Sequence, residues 1–248
     1  MPAVRLYVIN LKSAEERWRK IAAGAADAGL EIVRIDAVDG NACPVSEWKG
    51  FDRGAFARWH GRRPLAGEYG CYRSHVAALD AFLADGGDWA LIGEDDIEFE
   101  PDFANRADAL TRCVSGADLI NLHSFRRAGF FTYAETGFGD AVGRAAFGPQ
   151  GSSACYAVSR SGAKKILLGL QRCFLPLDVA MERGWALGTE NFSVKANLAT
   201  LGKVAKHSQI GSTGAYGKTK PAAYRRLQAF GFRAAEFYRR LEYALQFR

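Results

Sequence analysis

Three acids in a row, Glu94-Asp95-Asp96, follow the apolar run Trp89-Ala90-Leu91-Ile92, and Ile97 and Phe99 resume that run beyond them. The pattern reads as a buried strand, and open α/β sheets place their ligands at the carboxyl ends of strands. Adjacent carboxylates repel one another by roughly a few kcal/mol unless a cation neutralises them. The chemistry they suit is the holding of a hard divalent ion, Mg2+ or Mn2+, with substrate phosphates completing its shell. The other reading is an acidic turn that binds nothing.

Two further groups of residues could do chemistry. A helix is expected over 65–83, where Tyr69, Tyr72, Val76, Leu79 and Phe82 recur at three and four. It carries Glu68, Cys71, Ser74 and His75, which can share one face near its start. A helix histidine is either a satisfied structural group or part of a site, and its Ser and Glu companions weigh towards the site. Behind Pro176, Asp178 and Glu182 lie four residues apart. If helical, they stack on one face and either could be a general base; Asp178 as a plain helix N-cap is the alternative.

The elements that must position these residues form an alternating series. Residues 5–11 read as a strand closing on Asn10, and Ser13 with Glu16 reads as a capping box opening a helix that stops at Gly29. Residues 31–38 form the second strand, before an Asp39-Gly40 turn. This β-α-β opening implies a parallel, right-handed unit. It lacks the glycine fingerprint of a dinucleotide site, and a phosphate-binding P-loop is absent. Pro101 opens a helix to about residue 114, and 118–123 is a strand whose polar end carries Asn121, His123 and Ser124. Residues 125–150 read as loops and short hairpins with room for a lid over a site. A strand at 154–158, a helix at 161–170 and a last strand at 192–196 follow, then a polar loop at 206–212.

At 248 residues and 48% apolar content, the chain can bury a sizeable core and is not a disordered one. No apolar stretch approaches the roughly 18–20 residues that span a bilayer, and residues 1–10 read as a first strand rather than a signal peptide. Five cysteines, widely spaced and without a Cys-x-x-Cys pair, favour reduced thiols in a cytoplasmic protein. Residues 218–248 hold eight Lys/Arg against two Glu, so the whole net charge of +6 sits there. That narrow basic footprint does not suit a nucleic-acid-binding fold. In the tail, Leu227, Phe230, Ala234, Phe237, Leu241 and Leu245 make an apolar stripe at helical spacing. A basic amphipathic helix over 219–248 suits an anionic membrane surface; a helix docked on the domain is the alternative, and Gly231 argues against a long rigid one.

Several of these stretches together resemble glycosyltransferase family 25, the bacterial lipopolysaccharide glycosyltransferases related to collagen galactosyltransferases. The resemblance rests on Val8-Ile9-Asn10-Leu11 with Glu16-Arg17, on Gly67-Glu68-Tyr69-Gly70-Cys71-Tyr72-Arg73-Ser74-His75, and on Ile92-Gly93-Glu94-Asp95-Asp96-Ile97. Residues 151–167, Pro176-Leu177-Asp178 and Ser208-Gln209-Ile210 extend it over most of 4–212. Gly93 stands where the family commonly has a larger apolar residue, and 125–150 has no counterpart in the family's pattern.

The resemblance implies a GT-A-like, single Rossmann-type α/β domain over 1–217, with a mixed, mostly parallel central sheet and the amphipathic tail of 218–248. It implies a UDP-sugar donor, most often UDP-galactose, a lipooligosaccharide or related glycan or glycolipid acceptor, and inverting transfer. Asp96, with Glu94 and Asp95, is then the metal site for Mn2+ or Mg2+, Glu94 and Asp95 serving the donor or the metal's waters, and Glu98 faces solvent. Asp178 is the first candidate base and Glu182 the second. Asn10 and Arg17 lie near the nucleotide, and Glu68, Ser74 and His75 orient hydroxyls. A protein of the same fold that binds glycans or a membrane surface without catalysis is the competing reading.

Overall fold

Every residue of Leu6–Ile9 is apolar, and the chain uses both faces of that strand. Leu6 and Val8 belong to one buried cluster, Tyr7 and Ile9 to another. A strand covered on both sides sits in the middle of a three-layer arrangement, which is why its sequence runs apolar without alternation. The structure is a computed structural model and describes residues 4–202, 219, 222 and 226–246. The Ser208–Ile210 element and the 206–212 loop lie outside the described residues.

The chain opens as expected, with β1 (Arg5–Asn10), α1 (Glu15–Asp27) and β2 (Ile32–Asp36), β2 pairing parallel to β1. The Ser13 capping box is not formed; Ala14 takes the N-cap position without a side-chain bond. Short turns and α2 (Arg53–Trp59) lead to α3 (Ala66–Asp85). The predicted acidic strand is β3 (Trp89–Glu94), which pairs parallel to the other side of β1. Asp95 and Asp96 form a turn, and β4 (Ile97–Phe99) leaves the main sheet to pair with β10 (Ala199–Leu201). Between them come α4 (Phe103–Cys113), β5 (Leu119–Asn121), β6 (Phe130–Glu135), β7 (Ala141–Ala145), β8 (Cys155–Ser159), α5 (Arg160–Gly169), α6 (Leu177–Met181), α7 (Gly184–Leu187) and β9 (Asn191–Val194).

The large sheet runs β2-β1-β3-β8-β5-β9-β7-β6. It is mixed, but not mostly parallel: β1–β2, β1–β3 and β5–β9 are parallel, whereas β3–β8, β5–β8, β7–β9 and β6–β7 are antiparallel. The cause is local. The expected lid region holds the β6–β7 hairpin, which builds the sheet's edge instead, and the chain then returns through residues 146–154 to insert β8 antiparallel between β3 and β5. Helices α3 and α5 cover one face, where Tyr7, Leu79, Phe82, Tyr156 and Ile166 pack, while α1 and α4 cover the other with Ile21, Phe103 and Leu110.

The tail forms α8 (Leu227–Leu245), which runs through Gly231 without a break. It docks on the domain, and not by its apolar stripe. Ala229, Glu236, Arg240, Tyr243 and Ala244 are the buried residues, at helical spacing. Glu236 meets Arg183 at 2.5 Å and Arg240 meets Glu182 at 2.6 Å, so two adjacent residues of opposite charge receive two of opposite charge one turn apart. Tyr243 donates to the Thr189 carbonyl and accepts from the Asn191 amide. The stripe read from sequence is left outward, with Leu227, Phe230, Phe237 and Leu245 exposed. No helix among the described residues is long and apolar enough to cross a membrane.

Candidate active site

At the carboxyl ends of β1, β2 and β3 lies a cleft of about 400 Å³, lined by Arg17, Asp39, Asn41, Cys71, His75 and the three acids among others. The chain leaves β1 to one side for β2 and comes back on the other side as β3, and such a reversal opens a crevice at the strand ends. A hollow of about 550 Å³ lies at the opposite end of β1 and β3. Size does not choose between them; the acidic turn is in the smaller one.

The floor of the cleft depends on backbones packed too closely for side chains. A Cβ on Gly40 would stand 1.8 Å from the Ala66 carbonyl oxygen, and one on Gly70 would stand 2.5 Å from that of Val38. The loop after β2 thereby lies directly on the first turns of α3. Ser74 fixes the same contact, donating to the Gly70 carbonyl at 2.7 Å and accepting from the Val38 amide at 2.8 Å. It is a positioning residue with its hydroxyl fully used. Glu68 likewise turns back to accept from the Leu65 amide at 2.7 Å, capping α3, and burial pushes its carboxyl up to about 7. Of the four residues expected on one face, Cys71 and His75 are the two whose ligand atoms converge with Glu94.

The three acids have different surroundings. Asp95 is held: its oxygens accept from Asn10 Nδ2 at 2.6 Å and from Arg17 at 3.1 Å. Asn10 is itself oriented by Arg34, which donates to its Oδ1 at 2.6 Å. Of the two residues expected beside a nucleotide, Arg17 lines the cleft and Asn10 is buried behind it, and both clamp the acidic turn. Glu94 accepts from Ser153 Oγ at 3.3 Å and lies 3.6 Å from His75 Nε2. Burial works to raise its pKa, but the His75 and Ser153 contacts outweigh burial and hold the carboxyl below its ordinary value. Asp96 has no such help. Its Oδ1 is buried without a hydrogen-bond partner, and burial with the neighbouring Glu94 and Asp95 charges pushes its carboxyl up to about 6. Within the turn, Asp96 Oδ1 is a buried carboxylate oxygen with the chemistry to take a cation. Glu98, outside the cleft, pairs with Lys20 on the surface.

Asp178 and Glu182 part company. Asp178 accepts from its neighbour's amide, Val179, at 2.8 Å and from the Ser152 amide at 3.3 Å. Pro176, not Asp178, holds the N-cap position of α6. Burial raises its pKa against those two amide bonds, and the charge of Glu94 acts in the same direction as burial, which places Asp178 within electrostatic reach of the acidic turn. Glu182 instead spends Oε1 on Arg240 and Oε2 on the Gln150 amide at 2.8 Å. Both oxygens of Asp178 meet only backbone amides, whereas Glu182 is committed to a buried ion pair with Arg240 that anchors α8.

Sequence reasoning passed over the segment that joins these groups. Gly151-Ser152-Ser153 crosses between them: the Ser152 amide reaches Asp178, Ser153 Oγ reaches Glu94, and Ser152 Oγ lies 2.7 Å from His123 Nδ1. Ser152 adopts a φ of 87°, a left-handed conformation that a non-glycine residue holds only where its surroundings impose it. The signal available was the Gly-Ser-Ser run before β8, a turn composition carrying two hydroxyls.

The comparisons with known proteins bear on this cleft. A model of glycosyltransferase family 25 (LPS biosynthesis protein) matches residues 3–137, more than half of the chain, including α3 and the acidic turn. A glycosyltransferase 25 family member of Aedes aegypti is 33% identical over 129 residues, covering 48% of this chain and 21% of that protein. Procollagen galactosyltransferase 2 of Mus musculus is 27% identical over 118 residues, 46% of this chain and 19% of that one. Inactive glycosyltransferase 25 family member 3 of Homo sapiens is 28% identical over 180 residues, 70% and 30% of the two chains. The matched stretch thus spans a fifth to less than a third of these longer relatives. On the match over β1 to β6, the chain belongs to glycosyltransferase family 25.

Proposed function

We propose that the protein is a metal-dependent, inverting glycosyltransferase that moves a sugar, galactose by analogy with its relatives, from a UDP-sugar to a lipopolysaccharide, lipooligosaccharide or related glycan. The observation that carries this reading is Asp96 Oδ1, buried and unpartnered at the end of β3 beside Glu94. Two carboxylates on a strand-end turn fit Mn2+ or Mg2+, which take oxygen ligands and commonly use one or two carboxylates with substrate phosphates. Such an ion, when bound, stabilises the charge that develops on a departing nucleoside diphosphate. The chain supplies the rest. Arg17 and Asn10 hold Asp95 and so fix the turn. Asp178, with its carboxyl raised by burial, takes the proton of the acceptor hydroxyl.

Asp178→Asn is expected to lower kcat by about 10²–10⁴-fold, the usual contribution of a positioned base, with nucleotide affinity unchanged. Turnover near that of the wild type would remove the assignment. The enzyme reading itself is tested by incubating the protein with Mn2+, a panel of nucleotide sugars and glycan acceptors, and measuring UDP release. The competing reading, a non-catalytic glycan- or surface-binding protein, is favoured by the name of the human relative, which is called inactive. Nucleotide binding without release across the panel would support it.

The outward stripe of α8 supports a second part of the proposal, a peripheral position on the inner face of the cytoplasmic membrane. Phe237 stacks on Phe147, with ring centroids 5.6 Å apart, and both are exposed, so the apolar ridge continues from the tail onto the domain. The basic excess of residues 218–248 matches an anionic lipid surface. Removing the whole tail would expose the buried partners of α8 and confound the test. Leu227→Ser with Phe230→Ser leaves the docked face intact and is expected to reduce co-sedimentation with phosphatidylglycerol vesicles severalfold. Unchanged sedimentation would reject the membrane surface.

A further inference from the structure

Beside the acidic turn, a second set of ligand atoms converges. Cys71 Sγ, His75 Nε2 and a Glu94 carboxylate oxygen lie within 4.8 Å of one another. His75 is fully buried, and its Nε2 has no hydrogen-bond partner. Its other nitrogen, Nδ1, is 3.0 Å from Tyr156 Oη, and the two rings stack. In the tautomer with Nε2–H, that proton faces Glu94 Oε1 at 3.6 Å and holds the carboxyl down; in the tautomer with Nδ1–H donating to the Tyr156 hydroxyl, Nε2 turns a lone pair to the same oxygen. The second tautomer sets two acceptors against one another, the arrangement that a cation between them relieves. An outer hydrogen bond that fixes the tautomer of a histidine is also how metal-binding histidines are held.

We propose that Cys71, His75 and Glu94 form a site for Zn2+, and that zinc bound there inhibits the protein. The donor set decides the metal: thiolate and imidazole select a borderline-soft ion such as Zn2+, whereas the oxygen-only turn suits Mg2+ or Mn2+. Ligands about 2.0–2.3 Å from a tetrahedral zinc stand roughly 3.3–3.6 Å apart, so the His75–Glu94 pair already fits and Cys71 closes by about an ångström. Binding forms the Zn–S, Zn–N and Zn–O contacts and releases the thiol proton to solvent. Three protein ligands leave a fourth position for water, and Ser153 Oγ, 3.9 Å from Cys71 Sγ, is at hand beside the group. Because Glu94 belongs to both sets, zinc occupancy and Mn2+ or Mg2+ occupancy of the acidic turn exclude each other. The inhibition rests on the transferase reading; the binding does not.

Co2+ reports the site directly. Titrated into the 248-residue protein without nucleotide, it is expected to give a near-ultraviolet thiolate-to-cobalt charge-transfer band that stoichiometric Zn2+ erases. Cys71→Ser is expected to abolish the band and to raise the Zn2+ concentration that halves UDP release by at least tenfold. On the wild-type protein, Zn2+ is expected to slow alkylation of Cys71 while leaving the partly exposed Cys43 and Cys113 unchanged, which keeps the test independent of any variant's folding. No band, a band that survives Cys71→Ser, or equal alkylation of Cys71 with and without zinc would overturn the site. A band in a protein that releases no UDP would overturn the transferase reading and leave the zinc site standing.

Discussion

Asp96→Asn is expected to lower UDP-sugar turnover by roughly 10³-fold, about 4 kcal/mol of transition-state stabilisation. Asparagine keeps the size of the side chain and removes the charge that a cation needs at the one orphaned oxygen of the turn. The variant should fold at least as well. A carboxyl raised to about 6 favours the folded state at pH values below its unfolded pKa and loses that contribution as pH rises through 6. At pH 7 its replacement therefore relieves the native state, and the melting temperature is expected to hold or rise. The same carboxyl sets a pH signature. At limiting Mn2+, protons compete with the metal for Asp96, so the apparent metal affinity of the wild type falls as pH drops through about 6. Initial rates over a pH and Mn2+ grid measure this. Turnover by Asp96→Asn within a few-fold of the wild type would dismiss the metal role.

Arg240→Ala is expected to destabilise the protein by about 2–4 kcal/mol, because it leaves the buried Glu182, already pushed up to about 7, without its partner and forces it to take up a proton. Removing both charges at once should cost far less. Replacing Glu182 and Arg240 together by methionine deletes the pair while keeping much of its volume, and such exchanges of buried ion pairs are often neutral or stabilising. Urea unfolding of the two single variants and the double variant yields the coupling. Additive losses would show that the two residues act separately and that the bridge does not hold α8. A link to the site accompanies this anchor, since Glu182 also accepts from the Gln150 amide one residue before the Gly151-Ser152-Ser153 segment. A loosened α8 should thus reduce turnover as well as stability.

Much of the fold was legible because its signals are local. The continuous apolar run of β1, the β-α-β opening and the strand ending in Glu94 all follow from pattern over short windows. The sheet's mixed character was not, because nothing local in Cys155–Ser159 says whether the strand will run with or against β3. Only the β6–β7 hairpin before it fixes that direction, and its six exposed or half-exposed residues gave no strand alternation. The tail misled in an instructive way. Its apolar stripe marked the obvious face for docking, yet the domain takes the face with Glu236 and Arg240, whose partners at 182 and 183 lie more than fifty residues earlier. In the site, sequence offers residue types but not their partners. Asp178 and Glu182 look equivalent in sequence; Arg240 separates them.

The clamp on Asp95 carries a kinetic consequence. With the middle acid committed to Arg17 and Asn10, the turn offers an incoming ion two carboxylates rather than three. A hard cation bound by so few charges dissociates readily unless other oxygens fill its shell, and the diphosphate of the donor is their natural source. On the proposed transferase reading, metal and donor would bind as a single complex, each raising the affinity of the other by the same factor. Departure of the nucleoside diphosphate would then take the ion with it, and each turnover of the proposed reaction would end with the cleft cleared rather than with a cation left behind to trap the product.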